Sequence, residues 1–331
     1  MTVEQDHKHQ RHGQSSPTAV SKWLLRRLPR PTTQQHQTLF GTFLWRTSHL
    51  AHHRHTPFQA RATISLGILP TIPGLLGVVV SALGYVPPIG LHHFSLDGFN
   101  AVFDWEGVWT SIGLTFYSAI FSSYLACLIT FAILQASWGS KFWRKIEVSL
   151  SPLLAMPHVA FAIGFAFLFA PTGMGVRVLN QLFGYDPNAQ TVNDLALLIK
   201  DPHAFGLVIM LAIKEVPFLL LMSIPILQQL KVDKIEKVSH SMGYSSAQAW
   251  WKCVFPQWIA KLRFPMLAVL AYSLSVVDVA LIIGPTNPPT FAVLVWQWFN
   301  DPDLSLLPRA AAGAVVLFAI ASLLIGFARL M

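Results

Sequence analysis

The chain of 331 residues is 53% hydrophobic and only 11% charged, and its formal net charge is +8. Soluble domains carry about 25% charged residues, so this composition indicates a membrane protein. A positive charge could serve nucleic-acid binding, but the lysines and arginines would then cluster with base-stacking aromatic residues. Here they lie at the ends of apolar runs, which predicts a role in membrane topology and no nucleic-acid partner.

The first 63 residues form a polar, basic tail with little hydrophobic periodicity, which is typical of a loosely ordered segment. Within it, residues 23–30 mix tryptophan and leucine with arginine, and they could form a short helix on anionic lipid. A tail that only sets orientation is the alternative interpretation. Histidines recur along the tail, but the acidic and cysteine co-ligands of a metal site are scarce, so we expect solvated histidines.

Six apolar runs are long enough to cross a bilayer as helices, which takes about 20 mostly apolar residues each. They are Ile64–Tyr85, Val108–Leu134, Val148–Ala170, Ala204–Leu227, Phe264–Gly284 and Ala310–Ala328. A bundle of helices satisfies its backbone hydrogen bonds internally, and the alternating short strands of a barrel are not seen in the sequence. The sequence therefore predicts an all-α, polytopic bundle of six transmembrane helices over residues 64–331, preceded by the tail of residues 1–63.

The charges between the runs predict the orientation, because cytoplasmic loops carry an excess of lysine and arginine. With the N-terminus in the cytoplasm, the inward segments are the tail, residues 135–147, residues 231–263 and the C-terminus, and the outward loops are residues 86–107, 171–203 and 285–308. The outward loops are acidic, with only Arg177, Lys200 and, at the very edge, Arg309 as basic residues. The sequence therefore predicts a multi-pass protein with a cytoplasmic N-terminus.

Three charged residues lie inside the predicted spans: Lys214 and Glu215 in the fourth, and Asp278 in the fifth. A charge in the hydrocarbon costs at least about 2.5–3.5 kcal/mol, so each should face a partner or water. One interpretation is a polar lining of a translocation path. The other is a buried ion pair that fixes the packing of the spans, and a direct contact between Lys214 and Asp278 is left open. Pro157 is expected to kink its span, and His158, which follows it, is interpreted as a packing residue.

The longest polar interruption in the second half of the chain lies between the fourth and fifth runs and carries five lysines over residues 231–261. Ile235, Val238 and Met242 recur at three- and four-residue spacing, which predicts one apolar face of a short helix. Gly243 can supply the positive φ that ends this helix. These residues predict a helix on the membrane surface with apolar side chains available to a partner.

A second short helix is predicted after this turn. Ser245 or Ser246 can cap its N-terminus, since a serine oxygen accepts from the free backbone N–H groups there. The helix runs through Trp251, and Pro256 is expected to stop it because proline lacks an N–H. The segment is therefore predicted to be a helix–turn–helix.

The thirteen-residue separation of Gly243 and Pro256 resembles the cytoplasmic coupling loop of binding-protein-dependent ABC transporter permeases. The pattern in that family is Glu-Ala-Ala, three residues, Gly, nine residues, an aliphatic residue, one more, then Leu-Pro. Here Cys253 and Phe255 stand in the aliphatic and leucine positions, and residues 237–239 replace Glu-Ala-Ala. Residues 273–299 also resemble the fifth span and following loop of permeases in the thiamine, iron(III) and spermidine/putrescine group, nearest to the Ynj-type inner-membrane permeases.

The resemblance implies the type I ABC importer fold, with a permease core over about residues 103–331 and a coupling loop over residues 231–261. The loop would dock into a groove of a separate ATPase. The residues expected to carry this coupling are Lys237, Val238, Ser239, Met242, Gly243, Trp251 and Pro256. The expected partners are two ATPase subunits, a periplasmic substrate-binding protein at the acidic, tryptophan-containing outward loops, and a second permease subunit or fused second half, all at a bacterial inner membrane.

The chain itself is not expected to be an enzyme. It contains no Gly-x4-Gly-Lys-Ser/Thr loop that would bind nucleotide phosphates, so ATP hydrolysis is expected on a separate chain. No catalytic residue, cofactor or metal is predicted. The alternative function is an ion-coupled secondary transporter that uses Lys214, Glu215 and Asp278 as a relay. That class often has internal repeats, and no second copy of the loop or of a charged span is seen.

Overall fold

The computed structural model describes residues 69–170, 173–183 and 198–330. Within these residues the regular elements are helices, joined by turns and loops, and one isolated bridge links Val86 and Leu91. The helices are α1 (Thr71–Ala82), α2 (Asp97–Phe103), α3 (Val108–Ser137), α4 (Lys141–Ala155), α5 (His158–Phe169), α6 (Met174–Phe183), α7 (Phe205–Leu230), α8 (Val232–Ser241), α9 (Ser246–Ala249), α10 (Phe255–Ser275), α11 (Asp278–Ile283), α12 (Phe291–Phe299) and α13 (Leu307–Leu330). The predicted all-α class is confirmed. The predicted tail and residues 64–68 lie outside the described residues.

Four helical segments in the described part of the chain are long and apolar enough to cross a membrane. They are Val108–Ser137, Phe205–Leu230, Ser246–Ser275 and Leu304–Arg329. A fifth candidate is the bent pair α4 and α5, and α1 is a shorter apolar helix within the first predicted run. The second, fourth and sixth predicted runs therefore correspond to α3, α7 and α13, whereas the count of six spans stays a prediction.

The third predicted run, Val148–Ala170, is bent at Pro157, where a kink is expected, and the bend divides it between two helices. The chain breaks at Met156 and Pro157, and α4 and α5 meet at 103°. Proline lacks the N–H that a continuing helix needs, and it forces the preceding residue into extended backbone. Met156 accordingly has ψ 122 and Pro157 has ψ 144.

The predicted stop at Pro256 is wrong, because Ser246–Ser275 is one helical segment of 30 residues. Residues Trp250–Val254 form a π-helical turn, in which the Phe255 N–H donates to the Trp250 carbonyl five residues earlier. Pro256 follows directly, and a local π-helical adjustment of this kind lets a helix continue past a residue that lacks an N–H. The helix instead ends at Ser275, so the fifth predicted run, Phe264–Gly284, is divided between α10 and α11.

The central helix α7 packs against α3 and α10. The buried face of α3 is rich in small hydroxyl residues, which let helix backbones approach closely. These are Ser111, Thr115, Ser118, Ser122, Ser123 and Thr130. Between α10 and α7, the buried Trp258 Nε1 donates to Ser223 Oγ at 2.9 Å. This buried indole is thus paired across the helix interface.

The start of α7 is fixed by the segment that precedes it. The buried Asp201 carboxylate accepts from the backbone N–H groups of Phe205 at 2.6 Å and Gly206 at 3.1 Å, two donors that the helix itself leaves free. Gly206 lies directly against the backbone of Leu198, and a Cβ at this position would be 1.7 Å from the Leu198 carbonyl oxygen. Only glycine therefore permits this contact.

Candidate functional site

The basic loop, residues 231–261, consists of α8, a tight turn and the beginning of the Ser246–Ser275 helix. Gly243 has φ +83, so the predicted left-handed turn is confirmed. Ser245 caps the second helix in a reciprocal arrangement: its Oγ accepts from the Gln248 N–H at 3.4 Å, and the Gln248 side chain accepts from the Ser245 N–H at 3.1 Å. Of the two predicted caps, the structure selects Ser245.

The inner face of the basic loop belongs to the main hydrophobic core. Val232, Trp250 and Val254 are buried in the same cluster as side chains of α3 and α7, and Ile235 packs against that cluster. Ser239 is also buried, with its Oγ 3.9 Å from Cys253 Sγ. The loop is therefore attached to the bundle by a continuous apolar contact.

The outer face of α8 is open. Val238 is 60% exposed and Met242 is 69% exposed, so the predicted apolar face is divided between these two residues and the inward-facing Ile235. Lys237 and Gly243 are exposed beside them. Tyr244, which was not among the predicted residues, is exposed next to Gly243 in the chain. The Lys252 Nζ lies 5.1 Å from the centroid of the Tyr244 ring.

The other predicted coupling residues, Ser239, Trp251 and Pro256, lie outside this exposed face of α8. Ser239 points into the core, as described above. Trp251 is half exposed, with its ring centroid 4.8 Å from that of Phe131 on α3. Pro256 is exposed at the junction of the π-helical turn and α10. Of the predicted coupling residues, Lys237, Val238, Met242 and Gly243 are thus exposed on or next to α8, Trp251 and Pro256 are exposed later in the chain, and Ser239 is buried.

A second polar centre, the buried charge cluster, consists of Lys214, Glu215, His158 and Tyr272. Lys214 and Glu215 are both buried in α7, and the Glu215 Oε1 lies 3.2 Å from the His158 Nε2 at the start of α5. The His158 ring centroid is 4.6 Å from that of Tyr272 on α10. The Lys214 Nζ donates to the backbone carbonyl of Leu153 at 3.0 Å, near the end of α4.

Asp278, the third predicted charge, is exposed at the start of α11. In the described part of the chain, no ion pair joins it to Lys214. The direct contact between Lys214 and Asp278 that the sequence left open is therefore not formed. His158, interpreted as a packing residue, is the partner of Glu215.

One cleft lies beside the buried charge cluster, and another lies in the predicted outward segments. Lys214 and Leu153 line an apolar cleft of about 480 Å³ between α3, α4, α5 and α7. A polar cleft of about 460 Å³ is lined by side chains that include Asp97, Asp104, Glu106 and Arg309. Within residues 69–170, 173–183 and 198–330, no three His, Cys, Asp or Glu side chains come together as a metal site.

This architecture defines a multi-span helical membrane protein with a capped, partly exposed helical loop. The chain is similar to the inner membrane ABC transporter permease protein YnjC of Escherichia coli (strain K12), with 32% identity over 264 residues. The match covers 78% of this chain and 46% of that relative, so the chain spans less than half of the relative's length. No family model matches the chain. The predicted resemblance to ABC transporter permeases is confirmed by this similarity.

Proposed function

We propose that the chain is the membrane-spanning permease subunit of an ATP-driven, binding-protein-dependent importer, and that it forms a translocation path for a small solute across a bacterial inner membrane. The observation that carries this proposal is the basic loop, in which α8 has an exposed apolar face and the next helix is capped by Ser245, on a chain 32% identical to an ABC transporter permease. ATP hydrolysis belongs to a separate chain.

The exposed face of α8 suits a helix-in-groove contact with the ATPase. Val238 and Met242 are four residues apart, so both side chains lie on one side of the helix. Positive charge comes from Lys237 on the same helix and from Lys252, which lies over the ring of Tyr244. An ATPase groove with an apolar floor and acidic rim would match this surface.

The other side of the basic loop supports transmission of ATPase movement to the bundle. Val232 at the start of α8 and Trp250 after α9 are buried in the main core with side chains of α3 and α7, so a shift of the basic loop would move those side chains. The helix that begins at Ser246 continues without interruption to Ser275, a length of about 45 Å at 1.5 Å per residue. A rigid-body movement of the ATPase pair would therefore reach the opposite end of this helix.

The other partners follow from the predicted orientation, with the N-terminus in the cytoplasm. The polar cleft lined by Asp97, Asp104, Glu106 and Arg309 lies in the outward segments, where a substrate-binding protein would dock. A second permease subunit, or a fused second half, would complete the path. Of the three charges proposed for the path, Asp278 is the exposed one. The Asp278→Asn variant should therefore reduce uptake, and unaltered uptake would remove Asp278 from the path.

An ion-coupled secondary transporter is the second candidate, and it is suggested by the presence of two buried charged residues, Lys214 and Glu215. A relay would need Lys214, Glu215 and Asp278 to exchange protons or ions in sequence. Instead the Lys214 ammonium is bound to a backbone carbonyl and the Glu215 carboxylate to His158, so the three groups do not form one chain of contacts. The importer is therefore the better-supported function.

Purification of the full chain from its native membrane in mild detergent tests the proposal. We expect an ATPase with a Gly-x4-Gly-Lys-Ser/Thr loop to co-purify, and the Val238→Ser/Met242→Ser double variant to lose it. Asp233→Ser is the matched control, because Asp233 is exposed on the opposite side of α8. A chain that purifies alone and moves a solute under an ion gradient would contradict the importer and support the second candidate.

A further inference from the structure

The bend between α4 and α5 leaves a backbone carbonyl without its usual donor. In an uninterrupted helix the Leu153 carbonyl would accept from the N–H of residue 157. Residue 157 is proline and has no N–H. The Lys214 Nζ of α7 donates to this carbonyl at 3.0 Å. A side chain of a neighbouring helix thus replaces the hydrogen bond that Pro157 removes.

The next residue of α7 holds the other side of the same bend. The Glu215 carboxylate lies 3.2 Å from His158, the first residue of α5. Consecutive helix residues point about 100° apart, so Lys214 and Glu215 can reach two different helices. A cation at the C-terminal end of α4 and an anion at the N-terminal start of α5 also match the dipoles of these helices.

We propose that Lys214 and Glu215 form a clamp that fixes the 103° bend, and that its Glu215–His158 contact is the one that opens. Opening would let α5 rotate about Met156 and Pro157 while α4 stays bound to α7. This device concerns the conformation of the chain itself, and its test does not depend on an ATPase, a substrate or transport.

The two contacts of the clamp differ in exposure, which decides which of them opens. Lys214 is only 5% exposed, and its acceptor is a main-chain oxygen that side-chain rotation cannot remove. The side chain of His158 is 35% exposed against 9% for Glu215, so water can compete for the histidine. The helix that would rotate, α5, buries few of its own side chains, chiefly Ala162 and Phe165.

Distance measurement between α4 and α5 tests the clamp directly. The two cysteines, Cys127 and Cys253, are replaced by alanine and serine, and spin labels are attached through Val148→Cys on α4 and Phe167→Cys on α5, two strongly exposed positions. The full chain is reconstituted in lipid vesicles. We expect one narrow distance distribution for the otherwise unchanged chain and a second, separate population in Glu215→Ala.

Matched variants keep this test decisive. Glu147→Ala removes an exposed carboxylate of α4 and should keep the single distance. Glu215→Gln retains an oxygen that can accept from His158, so it should give a smaller second population than Glu215→Ala. It also replaces Glu215→Ala in the test if that variant fails to fold. A single unchanged distance in every folded Glu215 variant would overturn the clamp.

The Lys214 contact is tested by a double-mutant cycle with Pro157. Lys214→Met should lower the thermal midpoint of unfolding, whereas Lys214→Arg should retain it because arginine keeps a donor. In a Pro157→Ala background, the N–H gained at position 157 can supply the Leu153 carbonyl, so the shift caused by Lys214→Met should be at least halved. An equal shift in both backgrounds would show that Lys214 does not replace the bond missing at Pro157.

Discussion

Two prolines at helix junctions, Pro157 and Pro256, have opposite effects on their helices. At Pro157 the chain breaks and the flanking helices meet at 103°. At Pro256 the helical segment Ser246–Ser275 continues through a π-helical turn. The sequence predicted a kinked span at Pro157 and a helix end at Pro256.

The difference lies in how the helix hydrogen bonds continue at each proline. Just before Pro256 the chain forms a π-helical turn, in which the Phe255 N–H donates to the Trp250 carbonyl, so the helix continues through bonds of its own backbone. At Pro157, the donor for the Leu153 carbonyl is Lys214, which comes from another helix. Local backbone bonds keep the first helix continuous, and a donor from another helix is compatible with a bend.

The largest effect is expected from loss of the packing that holds the continuous helix. Trp258 is fully buried in α10, and Trp258→Ala should cost about 3–5 kcal/mol through the cavity it creates. Trp251, half exposed on the same helical segment, is the matched control and should cost distinctly less when changed to alanine. The free energy of unfolding in detergent measures both. Equal losses would mean that the core does not hold this helix.

Exchange of each proline for alanine tests whether Pro157 causes the bend and whether Pro256 leaves its helix unchanged. A proline in a helix interior costs about 3 kcal/mol, so Pro157→Ala should favour a straighter path through residues 155–158 and change the distance between labels on α4 and α5. Pro256→Ala should leave the Ser246–Ser275 segment as it is, because this proline stands at a tolerated position. An unchanged distance in Pro157→Ala would assign the bend to the contacts of α7 alone.

The long apolar helices and the turn at Gly243 could be predicted from the sequence. Apolar length decides whether a helix can cross a bilayer, so α3, α7 and α13 follow from their runs of residues. A positive φ at Gly243 and a serine cap near Ser245 depend on a few adjacent residues. Such features are local, and tertiary contacts do not change them here.

The arrangement of the buried charges could not be predicted in the same way. The Lys214 donor reaches a carbonyl 61 residues earlier in the chain, and Glu215 pairs with a histidine 57 residues earlier. Periodicity in α7 shows that the two charges point in different directions, but it does not show which helices they face. Likewise, the spacing of Ile235, Val238 and Met242 predicts a shared face, while packing against the core that holds Trp250 turns only Ile235 inward.

Two glycine turns, at Gly243 and Gly139, allow a loss of ATPase docking to be distinguished from a loss of stability. Gly243 and Gly139 both have positive φ, +83 and +72, and the space where a Cβ would lie is open at both. Valine at either position should cost about 1–2 kcal/mol of backbone strain. Only Gly243→Val should also lose the co-purifying ATPase, because Gly139 lies before α4 and away from α8 in the chain. Retention of the ATPase by Gly243→Val would contradict the docking role of this turn.

The smallest effect is expected at the two serine caps, which also distinguish a loss of ATPase docking from a loss of stability. Ser245 Oγ accepts from the Gln248 N–H, and Ser140 Oγ accepts from the Trp143 N–H at the start of α4. Each serine-to-alanine change should therefore cost about 1 kcal/mol of stability. Ser245→Ala frays the first turn next to the exposed face of α8 and should weaken ATPase capture, while Ser140→Ala should not. If both variants weaken capture equally, the effect follows from general stability, and the basic loop has no special part in docking.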